Sequence, residues 1–186
     1  MPRKRTITFG LSPVGVTRAM LDLVAYTKSL RAKGHELVRQ LCNIALNTIE
    51  ANMITPGDSD PTHTTEVLIE DAGSIARGTI RLNGEDVLFI EFGAGITYNG
   101  PAGQSPHPKG AELGYTIGDY GYHLGRLHYW YYHDDNGQLS VSWGTKAAMP
   151  VYKASREIRQ NVNRIAKSIF GSNYKSPAFA YAPFHP

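Results

Sequence analysis

Apolar residues recur at helical spacing through the first part of the chain. Ser12-Pro13 resembles a helix start, with the serine as cap and the proline in the first turn. The pattern predicts a helix over about 12–32, a break or bend at Gly34 and a second helix over about 35–52. The apolar stripe of the second helix is wide enough to face a core and consists of Leu37, Val38, Leu41, Cys42, Ala45 and Ile49.

Short apolar runs separated by turn residues follow this helical part. They predict strands over about 66–70, 74–82, 85–92, 127–133 and 139–143. Asn83-Gly84 lies between two of these runs and predicts a two-residue hairpin turn, whose register pairs Ala76 with Glu91. The turn residues 134–137 predict a second hairpin. On its returning strand, alternation places three apolar side chains on one face, namely Leu139, Val141 and Trp143.

A last amphipathic helix is predicted over about 149–170. Its stripe at i, i+3 and i+4 consists of Val151, Ala154, Ile158, Val162, Ile165 and Ile169. Residues 171–186 lack periodicity and predict an extended C-terminal arm. We therefore expect one α+β domain over 1–170. Its N-terminal helices and C-terminal helix would pack on a small, mostly antiparallel β-sheet, with a long glycine-rich loop over 93–125.

Composition adds few constraints to this picture. The chain has 186 residues, 19 basic against 16 acidic side chains and a net charge of +3, which gives no argument for nucleic-acid binding. The single cysteine, Cys42, lies inside a helical stripe and is interpreted as a buried packing thiol. No run of about 18 apolar residues and no apolar signal core occurs, so we expect a soluble protein made in the cytosol.

Glu91 is the unusual residue of the chain, because it interrupts an apolar run that ends in Gly93 and Gly95. A buried carboxylate can serve as a general acid or base. It can also accept hydrogen bonds from the backbone amides of the glycine loop, or from a neighbouring subunit. No nearby carboxylate has a spacing that demands pairing, so the structural interpretation is favoured and neither a catalytic residue nor a cofactor is predicted.

Two further groups of side chains carry possible chemistry. His123, His128 and His133 recur every five residues. Positions five apart on a strand point to opposite faces, so these rings would not converge and no metal site is predicted. The run 129–132 could stack nucleobases, but Arg126 is the only basic residue close to it in sequence. Packing against a neighbouring protein surface is the favoured interpretation of these aromatics.

Four short motifs occur in order along the chain. They are Phe89-Ile-Glu-Phe-Gly-Ala-Gly95, Tyr129-Trp-Tyr131, Gly144-Thr-Lys146 and Met149-Pro-Val-Tyr152. Together with the order of the predicted elements, they resemble the tail-component family of long-tailed bacteriophages, small neck or tail-completion proteins of the head–tail junction. The resemblance covers roughly residues 15–170. Ala94 and Val151 stand where the family usually has Thr and Phe.

The resemblance implies a structural virion protein and not an enzyme. Its copies would form a ring, a hexamer or dodecamer, that joins the tail to the head, after assembly in the host cytoplasm. The other partners would be the adjacent neck proteins, namely a head-completion or adaptor ring and a tail terminator or tail tube. DNA would pass through the ring without sequence-specific binding, and no membrane would be involved.

The contacts of such a ring are assigned to the loop over 93–125, the aromatic hairpin and the arm over 171–186. The expected interface and loop-anchoring residues are Glu91, Phe92, Gly93, Gly95, Tyr129, Trp130, Tyr131, Tyr174, Phe179, Tyr181 and Phe184. Three other functions remain open on the sequence: a tail terminator ring, a small nucleic-acid-binding module and an enzyme that depends on Glu91.

Overall fold

The computed structural model describes residues 10–53, 63–72, 75–84, 86–100, 105–114, 128–134 and 136–171. Within these ranges the elements are α1 (Pro13–Met53), β1 (Thr64–Ala72), β2 (Ile75–Asn83), α2 (Val87–Phe92), α3 (Ile96–Asn99), β3 (Trp130–His133), β4 (Leu139–Ser142) and α4 (Pro150–Phe170). The predicted α+β class is confirmed. The glycine-rich loop predicted over 93–125 is described only in part, and the arm lies outside the described residues apart from Gly171.

The first helical part is one helix of 41 residues and not two. The prediction of a break at Gly34 was wrong. Glycine inside a helix costs only about 1 kcal/mol relative to alanine. In this helix the packing of the C-terminal half, where Cys42, Ala45 and Ile49 are buried, offsets that cost.

The first hairpin joins β1 to β2, with Thr64 opposite Asn83 and Ala72 opposite Ile75. The strand predicted over 74–82 therefore exists, but its partner precedes it in the chain. The predicted turn at Asn83-Gly84 and the pairing of Ala76 with Glu91 were both wrong, because Ala76 pairs with Asp71. Strand β2 is paired with β1 along its whole length, and the next described element after Asn83 is the helix α2 rather than a partner strand.

The segment predicted as a strand over 85–92 is the short helix α2. Helical hydrogen bonds run from Ile90 N to Asp86 O at 2.9 Å and from Gly93 N to Phe89 O at 2.7 Å. A short apolar run fits a buried helix as well as a buried strand. Here the helix turns Val87 and Ile90, three positions apart, toward the same core.

The two hairpins of the described residues form separate two-stranded sheets rather than the single larger sheet that was expected. In the second, Trp130 pairs with Ser142 and His133 with Leu139, as the sequence predicted for a hairpin at this place. One oxygen of Asp134 closes its turn by accepting hydrogen bonds from the backbone N–H groups of Asn136 and Gln138, at 3.0 and 2.9 Å.

The core forms where the C-terminal half of α1 packs on α2, α4 and the inner face of β2. Its buried side chains are Ala45, Ile49, Met53, Ile90 and Ala154. Gly78 of β2 lies so close to α1 that a Cβ atom there would come within 2.5 Å of Cys42 Sγ. Helix α4 agrees with its prediction. None of the helices in the described ranges is long and apolar enough to cross a membrane.

Candidate functional site

Glu91 caps the N-terminus of α4. Its side chain is buried, and its two oxygens accept hydrogen bonds from the backbone N–H groups of Val151 at 2.8 Å and Tyr152 at 2.9 Å. These amides belong to the first turn of the helix, where no intrahelical acceptor is available. A carboxylate at this end is also favoured by the helix dipole. The prediction that backbone amides of the glycine loop donate to Glu91 was wrong, because the donating amides belong to α4.

His107 is the third partner of this carboxylate. Its Nε2 lies 3.0 Å from Glu91 Oε1, and its Nδ1 accepts a hydrogen bond from the backbone N–H of Lys109 at 3.0 Å. Because Nδ1 is an acceptor, the imidazole proton lies on Nε2 and is donated to Glu91. The buried ring also packs against Phe92 and Tyr152, with centroids 4.6 and 5.1 Å away.

This arrangement holds three separate parts of the chain together. Glu91 lies in α2, His107 within the 93–125 segment and Val151 in α4. Ser105 adds a hydrogen bond from its hydroxyl to the Phe92 carbonyl, at 2.7 Å. A general acid or base must reach its substrate, whereas the atoms of this pair are buried and already engaged. The site is therefore best suited to a structural role, as a fastening that holds α2, the 93–125 segment and α4 together.

A second fastening joins the loop after α2 to the segment after β4. Ala94 and Thr145 exchange two backbone hydrogen bonds, of 2.8 and 2.9 Å, and so form an isolated antiparallel bridge. Gly144 has φ +88°, and a Cβ atom there would overlap the Ala94 carbonyl oxygen. Gly95 has φ +75°, and a Cβ atom there would lie 3.0 Å from the Trp130 ring. Both glycines are therefore required by conformation and by space.

Asn99 fills the space beside this bridge. Its amide nitrogen lies 2.7 Å from the Thr145 carbonyl oxygen and 3.1 Å from that of Ala94. Its side-chain oxygen accepts a hydrogen bond from the backbone N–H of Ala147 at 2.9 Å. Sequence reasoning missed this residue. The available signal was an asparagine placed directly before Gly100 in a glycine-rich stretch, which indicates a side chain that binds backbone groups.

The segment between the bridge and α4 is fixed by Ile90. Its carbonyl oxygen accepts the backbone N–H groups of Ala148 at 2.8 Å and Met149 at 3.3 Å. Met149 adopts the left-handed conformation, with φ +56°, and the helix begins directly after it. We call the set of Glu91, His107, Asn99 and the Ala94–Thr145 bridge the clamp.

The structure divides the other expected interface residues into groups. Phe92, Gly93 and Gly95 lie directly beside the clamp, and Trp130 lies beside Gly95. Tyr129 and Tyr131 are exposed on the hairpin, with ring centroids 6.0 Å apart. The four aromatic residues of the arm lie outside the described residues: Tyr174, Phe179, Tyr181 and Phe184.

The histidines of the hairpin region form no metal site that the structure describes. Among the described residues, no group of three or more His, Cys, Asp or Glu side chains is placed to hold a metal ion. His123 lies outside these ranges. His107, which precedes it in the chain, instead binds Glu91.

Comparison with known proteins gives no relative from which a function could be transferred. The chain matches no known protein family, no curated protein and no solved structure. The functional argument therefore rests on the sequence motifs and on the geometry of the clamp and the exposed surfaces.

Proposed function

We propose that this chain is a structural protein of a tailed bacteriophage, a neck or tail-completion component. Its copies form a ring at the head–tail junction and join the tail to the head. One observation carries the proposal: three of the four motifs behind the resemblance meet in the clamp. They are Phe89–Gly95, Gly144–Lys146 and Met149–Tyr152.

The contacts between these motifs explain in physical terms why each motif contains its particular residues. Glu91 of the motif Phe89–Gly95 caps α4, the helix that begins within Met149–Tyr152. The glycines of Phe89–Gly95 and Gly144–Lys146 allow the backbones of these two motifs to approach and pair. A matching set of short motifs could arise by chance, whereas motifs that support one another in space form a single structural unit.

The clamp suits a protein that works by contact. Its polar groups bind one another and hold α2, the aromatic hairpin and α4 in a fixed relation. Elsewhere in the described residues, large apolar side chains of α1 and of the hairpin are exposed. Apolar surfaces of this size on a small domain are typical of interaction sites. The ring and its neighbours in the neck would cover them.

Complementation of an infection tests this role. In the phage that carries the gene, a nonsense mutation should leave filled heads and free tails unjoined, and the protein supplied from a plasmid should restore joined particles. Electron microscopy of the lysate counts both. Tails that join heads normally without the protein would end the proposal. Unjoined tails of uneven length would instead assign the chain to the end of the tail, as a terminator ring.

A further inference from the structure

The N-terminal half of α1 carries an apolar face that is largely exposed. Its members are between 38% and 65% exposed and are Val16, Met20, Leu23, Val24 and Leu30. They share a helical face with Ala45 and Ile49, which lie further along the same helix and are buried in the core. The stripe thus continues beyond the core of its own domain. We call these five residues the helix stripe.

The second hairpin exposes another apolar face. Tyr131 pairs with Val141, and His133 pairs with Leu139, so alternate residues of the two strands share one side. Its large side chains are between 43% and 64% exposed and are Tyr129, Tyr131, Leu139, Val141 and Trp143. The rings of Tyr129 and Trp143 are 5.1 Å apart and form a continuous surface. We call these five residues the hairpin face.

The sequence segments that carry the two surfaces differ in the sign of their charge. The helix over 13–34 has four basic residues and one acidic residue, which are Arg18, Lys28, Arg31, Lys33 and Asp22. The sequence of the hairpin over 128–143 contains Asp134 and Asp135 and no Lys or Arg. Two helix stripes that met would bring like charges together, and so would two hairpin faces. A helix stripe on a hairpin face brings unlike charges together.

The side chains of the two surfaces also differ in kind. The helix stripe is aliphatic and includes Met20, a flexible side chain that packs well on aromatic rings. The hairpin face presents Tyr131 and Trp143, residue types that supply much of the binding energy at protein interfaces. An aliphatic surface and an aromatic surface of this kind can pack on each other.

We propose that the helix stripe of one copy packs on the hairpin face of the next copy. The contact is heterologous, because it joins two different surfaces of identical chains. Repetition of such a contact closes a ring when the rotation between copies permits it. The ring geometry rests on the function proposed above, whereas the contact itself rests on the two exposed surfaces and their charges.

Two full-length variants separate this contact from its alternatives. Met20→Gln with Leu23→Gln removes apolar surface from the helix stripe, and Tyr131→Ser with Trp143→Ser removes it from the hairpin face. All four side chains are exposed, so folding is retained, which circular dichroism checks. Leu88→Gln is the matched control, because Leu88 is also exposed but lies in α2.

Light scattering after size exclusion should show assembly of the wild type and of the control. Each variant alone should require a concentration at least about tenfold higher to assemble, since every contact in it lacks one side. An equimolar mixture should form dimers that grow no further. In the mixture, one intact helix stripe meets one intact hairpin face. Raising the salt concentration should weaken the wild-type assembly.

Three results would overturn the contact. If only the helix variant loses assembly and the hairpin variant assembles normally, helix–helix pairing is indicated. If only the hairpin variant loses assembly, stacking of hairpins is indicated. A wild-type chain that stays monomeric would show that something other than a second copy covers these surfaces. The role in tail joining is measured separately, by complementation, so failure of the contact and failure of the function are distinguishable.

Discussion

Glu91 and Tyr152 are 61 positions apart and are joined by a hydrogen bond of 2.9 Å, from the backbone N–H of Tyr152 to the Glu91 carboxylate. A helix is usually capped by a residue directly before its first turn. Met149 occupies that position in α4 and has no side-chain oxygen, so a residue from α2 takes over the role. The cap of α4 therefore depends on the tertiary fold.

Replacement of Glu91 by Gln should destabilise the fold. Glutamine has one acceptor oxygen and one donor nitrogen, so at least one of the three N–H donors around it loses its partner. Loss of a buried charged acceptor costs about 2–4 kcal/mol. For a chain of this size we expect a melting temperature lower by roughly 5–12 °C, measured by circular dichroism.

Glu66→Gln is the matched control for this change. Glu66 is exposed and faces Arg81 at 3.6 Å, a pair that contributes little to stability. Its melting temperature should stay close to that of the wild type. If Glu91→Gln melts with the control, the fastening role assigned to this carboxylate is incorrect.

Replacement of Asn99 by Ala should also destabilise the fold, through a different part of the clamp. The change leaves the Ala147 N–H without its partner, whereas the Thr145 carbonyl still accepts the backbone N–H of Ala94. An unsatisfied buried group costs about 1–3 kcal/mol, so a loss of about 1–3 kcal/mol is expected in urea unfolding. Asn47→Ala, at an exposed position of α1, should be neutral or slightly stabilising. Equal stability of the two variants would contradict the proposed role of Asn99.

Gly144→Ala separates close approach from backbone strain. Gly144 and Gly100 have nearly the same φ, +88° and +91°. A Cβ atom added at Gly144 would overlap the backbone of Ala94, whereas one added at Gly100 would have no neighbouring atom within 4 Å. Both alanine variants carry the strain of a left-handed conformation, about 1 kcal/mol or more. Gly144→Ala should lose a further 1–3 kcal/mol or so, because the added methyl group pushes Ala94 from its bridge to Thr145. Similar stability of the two variants would show that the bridge yields at little cost.

The sequence predicted those elements whose signal is local and long. Helix α4 has a clean stripe over its whole length, and the second hairpin has turn residues that bind their own backbone at Asp134. The run 85–92 was predicted wrongly because its five apolar residues fit either a helix or a strand. Asn83-Gly84 is a strong turn signal, but β1 pairs with β2 and leaves no strand for it to join.

The candidate site was predictable only in part, for a physical reason. Glu91 could be identified because a carboxylate in an apolar run needs partners. Those partners, Val151 and Tyr152, come from a helix that starts far along the chain, and no spacing in the sequence relates them to Glu91. No spacing in the sequence relates His107 to Glu91 either. Its role depends on a ring nitrogen that binds the Lys109 amide, which a sequence pattern does not show.

Cys42 should react slowly with alkylating reagents while the protein is folded. Burial raises the pKa of its thiol above the usual 9.0, so less of the reactive thiolate is present at a given pH. In the unfolded chain the Cys42 thiol is no longer buried, so it ionises at a lower pH than in the folded chain. The stabilising contribution of the protonated thiol is therefore complete below about pH 9 and is lost as the pH rises through the folded pKa.

Iodoacetamide labelling followed by mass spectrometry measures this difference. At pH 8 the folded chain should label at least about tenfold more slowly than the chain in urea, since only the opened form exposes the sulfur. Gly78→Ala, which adds a methyl group beside Cys42 Sγ, should accelerate labelling by loosening the contact between α1 and β2. Equal rates in the folded and unfolded chains would show that the thiol is accessible.

Removal of residues 172–186 should weaken assembly and leave the fold intact. Gly171 is the C-cap of helix α4, and its backbone N–H donates to the Lys167 carbonyl at 2.9 Å, so the shortened chain keeps this cap. The contacts of α4 with the core lie upstream, at Ala154 and Ile158. The melting temperature should therefore change by less than about 2 °C, a shift that corresponds to well under 1 kcal/mol for a chain of this size.

The removed segment carries apolar surface that a ring or its neighbours can bury, in the form of Tyr174, Phe179, Tyr181 and Phe184. Light scattering and complementation should both show a loss in the shortened chain. The full-length chain with these four residues changed to Ser is the control, because it keeps the length and removes only the aromatic side chains. It should behave like the shortened chain if the aromatics make the contacts. An unchanged assembly profile for the shortened chain would exclude the arm from the ring contacts.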